Sequence, residues 1–310
     1  MYPKPLLLLL FALLAFPAPA IDQSEQECRT RTTHESMTLA DLIRPEWELP
    51  WLLNHKVWGD QHQETIVLVH GLTGDFRTFE NVAKSLSQYY RVVGVDLRGM
   101  GETPAYGWNY SSKMLAKDIE RLLAHLEKHW HNPTKRYHIL GHSFGGRVAI
   151  AFCDLFPEKV RSLIVEDMHF ATYSGAGPET LLSGAKKAIA TLREQNPGQS
   201  MQGMLMDTSP DRWKAVREKG YVVSLFASQV RAEEYSGELQ RLKVPALLVG
   251  AADYKGALQA NGVRHARSHL SKNPFVRIAA IPGTGHDVHN DNMDGYLQVV
   301  GSFVADVIKN

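Results

Sequence analysis

The stretch Tyr137-His138-Ile139-Leu140-Gly141-His142-Ser143-Phe144-Gly145-Gly146 constrains this chain more than any other. Residues 137–140 form an apolar run of strand length, and Arg147-Val148-Ala149-Ile150-Ala151-Phe152 begins an apolar-faced helix, so a sharp turn must lie between them. In the pattern G-x-S-x-G, glycines 141 and 145 remove the Cβ atoms that would collide where strand and helix pack about a strained residue. Ser143 is thereby pushed into the open. The backbone N–H of Phe144 points back toward the serine oxygen, and the helix N-terminus adds positive partial charge, so a developing oxyanion would be stabilised there. A plain strand–glycine turn–helix junction has the same local pattern, so the rest of the chain has to supply the chemical partners.

Residues 65–71 are a continuous apolar run closed by a glycine turn, as expected of a strand buried on both faces of a parallel sheet. Residues 91–97 repeat that pattern, and 160–165, 244–250 and 275–281 read as further strands. Helical periodicity fills the intervals at 76–89, 111–131 and 293–308. Strands alternating with helices predict an α/β chain, a mostly parallel central sheet with helices on both faces and ligands meeting the C-terminal strand ends. The expected organisation is a leader at 1–20, an N-terminal arm at 21–50, and a core at 51–167 and 243–310 that starts with edge strands near 51–60. Between 168 and 242 the strand rhythm stops, and that stretch reads as a helical cap inserted over the strand ends.

A chain of 310 residues, 44% of them hydrophobic, can bury a sizeable core. Its formal charge is +1 and no Lys/Arg run exceeds a pair, which argues against a nucleic-acid footprint or a polybasic membrane patch and favours a small-molecule partner. The start has the three parts of a secretory signal: a short basic segment, eleven apolar residues at 6–16, and Ala18-Pro19-Ala20 ahead of Ile21. Eleven apolar residues are too few to span a bilayer, so export to a periplasm or the outside is expected, with no stable span after cleavage. The chain has two cysteines, Cys28 and Cys153, so a disulfide framework does not hold the fold. Cys153 reads as buried filler in the helix after the serine.

A nucleophilic serine needs a base, and neutral imidazole suits that task near neutrality. Of the 14 histidines, His286 in Pro282-Gly283-Thr284-Gly285-His286-Asp287 is best placed, because it follows the last predicted strand and reaches the sheet edge that carries Ser143. His289 is its nearest rival and could line the pocket; His142 should point elsewhere as part of the turn. Two acids stand at strand ends where either could orient the histidine: Asp167, after the strand next to that of the serine, and Asp253, one strand further along. Either could instead cap a loop or a helix. His70-Gly71-Leu72 follows a central strand, and the N–H of Leu72 would join that of Phe144 in an oxyanion hole. The stretch from Asp96 to Thr103 reads as a structural turn, with Arg98 in an ion pair. No metal or cofactor is called for.

With His70-Gly71, Asp96-x-Arg98-Gly99-x-Gly101, Gly141-His142-Ser143-Phe144-Gly145-Gly146 and Gly285-His286 in this order, the chain resembles the α/β-hydrolase superfamily over about residues 50 to 310. His70-Gly71-Leu72-Thr73-Gly74, Asn109-Tyr110 and Val160 seven residues ahead of Asp167 make it look most like the small esterases of the YbfF type. That branch implies Asp167 as the acid and most of the superfamily implies Asp253; Asp167 is preferred, with Asp253 its alternative. The resemblance implies a serine hydrolase of carboxylic esters, or of thioesters, working through an acyl-enzyme. A carboxylate at the elbow would be needed for a dehalogenase or an epoxide hydrolase. Carbon–carbon hydrolase, amidase and perhydrolase chemistry use the same groups, and a ligand-binding module on the same scaffold is the alternative of another class. The cap offers Met201, Met204, Met206, Trp213 and Phe226 as pocket candidates. Substrate and oligomeric state are not specified by these residues.

Overall fold

The computed structural model describes residues 52–72, 74–103, 110–168, 236–252 and 273–309. The expected leader and arm, and the cap apart from its two ends, lie outside them, as do Cys28 and Asp253.

The strands are β1 (His55–Trp58), β2 (Thr65–Val69), β3 (Arg91–Val95), β4 (Tyr137–His142), β5 (Val160–Glu166), β6 (Ala246–Ala251) and β7 (Val276–Ile281). They form one sheet in the order β1-β3-β2-β4-β5-β6-β7. β1 is antiparallel to β3 at one edge, and every other pairing is parallel. The expectation of a mostly parallel sheet therefore holds, and β5 and β6 pair directly although the cap region separates them in the chain.

The helices are α1 (Glu80–Leu86), α2 (Ser112–Leu126), α3 (Phe144–Leu155), α4 (Ser236–Arg241), α5 (Val288–Asp291) and α6 (Met293–Lys309). The helix expected over 76–89 begins as a 3-10 turn at Phe76–Phe79, where the Asp75 side chain caps the Arg77 N–H. Because side chains alternate across a strand, each strand feeds two cores. Val67, Val93, Ile139 and Val165 pack against α2 and α3 on one face; Ile66, Val92, Leu140 and Ile164 pack against α1 and α6 on the other. Cys153 is a buried free thiol in the first of these layers.

The stretch from Asp96 to Thr103 is structural, as expected. Asp96 Oδ1 accepts the Phe76 N–H at 2.8 Å, and Oδ2 accepts the Asn54 amide at 2.7 Å and the Glu102 N–H at 2.8 Å. Arg98 forms a two-pronged pair with Asp118 at 2.8 and 2.6 Å, both side chains buried. Breaking such a pair on one side leaves an uncompensated buried charge, which costs about 3–5 kcal/mol. This turn therefore holds the chain beside the β2 end in one shape. Register then aligns the C-terminal edge: Val69 lies opposite Gly141, His142 opposite Glu166, and Glu166 opposite Val249. The segments after β2, β4, β5 and β7 emerge together there.

Candidate active site

The turn at Ser143 is as tight as its glycines suggest. A Cβ on Gly141 would collide with the Gly145 carbonyl, and one on Gly145 with the carbonyls of Val69 and His70. Ser143 itself has φ 51°, in the left-handed region that costs a non-glycine residue about 1–3 kcal/mol. Its N–H donates to the Glu166 carbonyl at 2.8 Å, which ties the apex of the turn to β5. Among the described residues one other non-glycine has positive φ: Asp167, at 42°. The two strained positions are therefore the predicted nucleophile and one of the two predicted acids.

Ser143 Oγ lies 3.0 Å from His286 Nε2, and His286 Nδ1 lies 2.6 Å from Asp167 Oδ2. Since a carboxylate can only accept, Nδ1–H donates to Asp167, and in neutral imidazole Nε2 is left to accept the serine hydrogen. The left-handed turn at Asp167 aims its carboxylate along the sheet edge, while its own N–H donates to the Val249 carbonyl at 2.8 Å. Asp167 is fully buried, whereas the His286 side chain is 43% exposed. The hydrogen bond that His286 donates to Asp167 raises its pKa above the ordinary value, against the opposing effect of partial burial. Among the described residues Asp167 is the carboxylate on His286 Nδ1.

His142 does point away from the serine, but it is not idle. Its Nε2–H donates to the His286 carbonyl at 2.9 Å, and its ring lies 4.7 Å from that of His286. Burial lowers its pKa, so it acts as a neutral donor. His289 differs from expectation. α5 turns it inward, fully buried, with Nδ1 2.7 Å from Glu166 Oε1 and its ring stacked on Phe79 at 4.3 Å.

The oxyanion candidates sit on either side of Ser143. Phe144 is the first residue of α3, at the positive end of its dipole. On the other side, a Cβ built on Gly71 would lie 3.4 Å from the Ser143 Cβ, so the Gly71–Leu72 peptide borders the serine. Here the structure adds a group that motif reading passed over. The His70 ring is fully buried; its Nδ1–H donates to the Gly71 carbonyl at 2.7 Å while Nε2 accepts the Leu97 N–H at 3.0 Å. Carbonyl and N–H of one planar trans peptide point in opposite directions, so fixing the Gly71 oxygen also fixes the Leu72 N–H. Burial lowers the His70 pKa, in keeping with this neutral tautomer. Glu166 was the other group missed. Its signal in the sequence is slight: one carboxylate directly after the apolar Leu163-Ile164-Val165.

Residues 66–299 match the alpha/beta hydrolase family. The chain belongs to that family. It is 27% identical over 265 residues to an sn-1-specific diacylglycerol lipase of Mus musculus, covering 80% of this chain and 83% of that one. It is 26% identical over 248 residues to the N-formylmaleamate deformylase of Pseudomonas putida, covering 77% and 88%. Among solved structures, a thermophilic esterase from Thermogutta terrifontis superposes with a TM-score of 0.64 at 20% identity, over 82% of this chain and 93% of that one. At that identity the likeness shows the fold, which is the α/β-hydrolase fold.

Proposed function

We propose that this member of the alpha/beta hydrolase family is a serine hydrolase of carboxylic esters, thioesters included, working through an acyl-enzyme. The observation that carries the reading is the unbroken relay from Ser143 Oγ through both nitrogens of His286 to Asp167, built on two residues held at positive φ. Proton transfer between oxygen and nitrogen at 3.0 Å needs no rearrangement of the protein. Ser143 attacks the ester carbonyl as His286 Nε2 takes its proton; Asp167 holds the imidazole in the required tautomer and stabilises the cation that forms. The amides of Leu72 and Phe144 stabilise the tetrahedral oxyanion. His286 then returns the proton to the departing alcohol or thiol and takes another from water; the hydroxide so formed adds to the acyl carbonyl, the bond to Ser143 Oγ breaks to release the acid, and His286 gives its proton back to Oγ.

In this reading Asp167, as in the YbfF-type branch, is the acid rather than Asp253, and residues 168–242 cap the acyl or alcohol pocket. The leader at 1–20 directs the chain out of the cytoplasm. The deformylase relative supports amide hydrolysis by the same groups as a second reading. Turnover of a p-nitrophenyl ester series, beside the matching p-nitroanilides, tests both: the ester reading expects ester cleavage that Ser143→Ala abolishes, and preference for the anilides would favour the amide reading. A wild type that neither turns over nor takes a fluorophosphonate label would be a binding module. The N-terminal sequence of the exported protein tests the leader, and it is expected to start at Ile21.

A further inference from the structure

Beside the three side chains of the proposed mechanism lies a second carboxylate–imidazole pair that no chemical step uses. Glu166 and His289 both have side-chain exposures of 0%. A buried carboxylate is costly unless hydrogen bonds satisfy it; here Oε1 accepts two, from the His289 backbone N–H at 3.0 Å and from its Nδ1–H at 2.7 Å, while Oε2 has no hydrogen-bond partner among the described residues, so His289 supplies all the hydrogen bonds that compensate the carboxylate. The His289 ring is held in turn by its stack on Phe79, with Nε2 lying 3.2 Å from the Thr78 carbonyl and 3.1 Å from the Asn290 amide.

The backbone of the same Glu166 serves the other half of the site. Its carbonyl accepts the Ser143 N–H at 2.8 Å, and the next residue is Asp167, on His286 Nδ1. His142 closes the circuit, since it precedes the serine and donates to the His286 carbonyl at 2.9 Å. Strand geometry explains how neighbours divide the work. Glu166 continues the face of Ile164, toward α1 and α6, while Asp167, at positive φ, places its buried side chain on His286.

His286 needs such a clamp because its segment is exposed and has glycine at 283 and 285. Upstream it is pinned by the Thr284 hydroxyl on the Ile281 carbonyl, at 2.8 Å, and by the Gly285 N–H on Asp291, at 2.7 Å. Downstream the anchor is His289 on Glu166.

We propose that Glu166 is a positioning residue: its side chain clamps the 286–289 segment through His289 while its carbonyl holds Ser143, so that base and nucleophile are kept in register from one point on β5. This rests on the reading of Ser143 and His286 as nucleophile and base. Misplacement of about 1 Å can cost about 100-fold in rate, which sets the scale of the effect.

The test compares wild type with E166A, E166Q, H289A and H289Q in the full chain. Melting temperature is recorded for each, and active sites are counted by fluorophosphonate titration. E166A and H289A are expected to lower kcat on a p-nitrophenyl ester by about 10- to 100-fold with KM within about twofold. E166Q and H289Q keep an acceptor or a donor at the clamp and are expected to lose less. The downfield proton resonance of the His286–Asp167 hydrogen bond should broaden or vanish in the alanine variants. A folded E166A or H289A with wild-type kcat and resonance overturns the proposal, as does a fall in kcat matched by an equal fall in titratable sites. Should neither alanine variant fold, E166Q and H289Q with wild-type kcat and resonance overturn it, and lowered values of both support it. A wild type that takes no label defeats the serine-hydrolase reading instead, and the resonance of the variants against wild type still decides the clamp.

Discussion

Two neighbouring carboxylates at the end of β5 each hold a histidine from one short stretch of chain, yet the two pairs are built for different work. On Asp167, the His286 side chain is 43% exposed and its second nitrogen meets the Ser143 hydroxyl. On Glu166, the His289 side chain is fully buried and its second nitrogen lies against the Asn290 amide and the Thr78 carbonyl. The groups are chemically alike, so the acid–imidazole pairing by itself does not make a base. What separates them is the partner of the outer nitrogen: His286 meets a hydroxyl that can become a nucleophile when it gives up its proton, whereas His289 meets a backbone carbonyl and a side-chain amide, neither of which can. Both histidines have raised pKa values, for different reasons. For His286 the main cause is the Asp167 hydrogen bond; for His289 burial opposes the cation, and the hydrogen bond and charge of Glu166 outweigh it.

The largest test of this contrast removes each imidazole in turn. His286→Ala should lower kcat by about 10⁶-fold, the scale seen when a nucleophile or its base is removed from a serine hydrolase. His289→Ala should stay within the 10- to 100-fold loss expected of misplacement. Equal losses in steady-state ester hydrolysis would erase the distinction between base and clamp.

The carboxylates come next. Asp167→Asn leaves the shape but favours the wrong tautomer, and should cost about 10⁴-fold in kcat. The pH profile sharpens the point. His286 must be neutral to accept the serine proton, so kcat/KM should rise with pH through its pKa, at a midpoint above the ordinary value of about 6.5. Without the Asp167 charge the cation loses its main support, and the midpoint of the residual activity should move to lower pH. An unmoved midpoint, or a comparable loss in Asp253→Asn with none in Asp167→Asn, would pass the role to the other aspartate.

The sequence made one side of this comparison readable and concealed the other. The strands β2 to β6 show plainly because burial on both faces writes them as mostly apolar runs, and the elbow shows because contact between backbones leaves room for glycine alone at 141 and 145. The two acids could not be separated, because each follows a strand end on the correct edge. Asp253 lies outside the described residues; for Asp167 the structure adds a backbone detail that the sequence does not carry, a φ of 42° that aims the carboxylate at a histidine 119 residues away. Glu166 was harder still, since a single charge at the end of an apolar strand gives no hint of a partner 123 residues on. His289 misled for a related reason. Three residues from His286 it looks like a neighbour in the pocket, but α5 spans Val288–Asp291 and turns it inward, onto Phe79 and Glu166.

The smallest expected effect is on stability, and it separates the pairs by pH. Burial works against ionising Glu166, but the hydrogen bonds and charge of His289 overcome it and hold the carboxyl below the usual range. With a folded pKa below the unfolded one, Glu166 contributes stability above the unfolded value of about 4.3, and that contribution fades as pH falls through the folded value. His289 has the opposite sign. Its folded pKa is raised, so its contribution is complete below the unfolded value of about 6.5 and is lost as pH rises through the folded one. Both are present together between about pH 4.3 and 6.5. The gap in melting temperature between wild type and Glu166→Gln should therefore be widest in that window and narrow on either side. For Asp167→Asn the gap should be shallower, because water screens the half-exposed His286 partner. A gap for Glu166→Gln that stays flat from pH 4 to 9 would mean that the buried pair carries no net ionisation, and that hydrogen bonding alone, without charge, holds the His286 segment to β5.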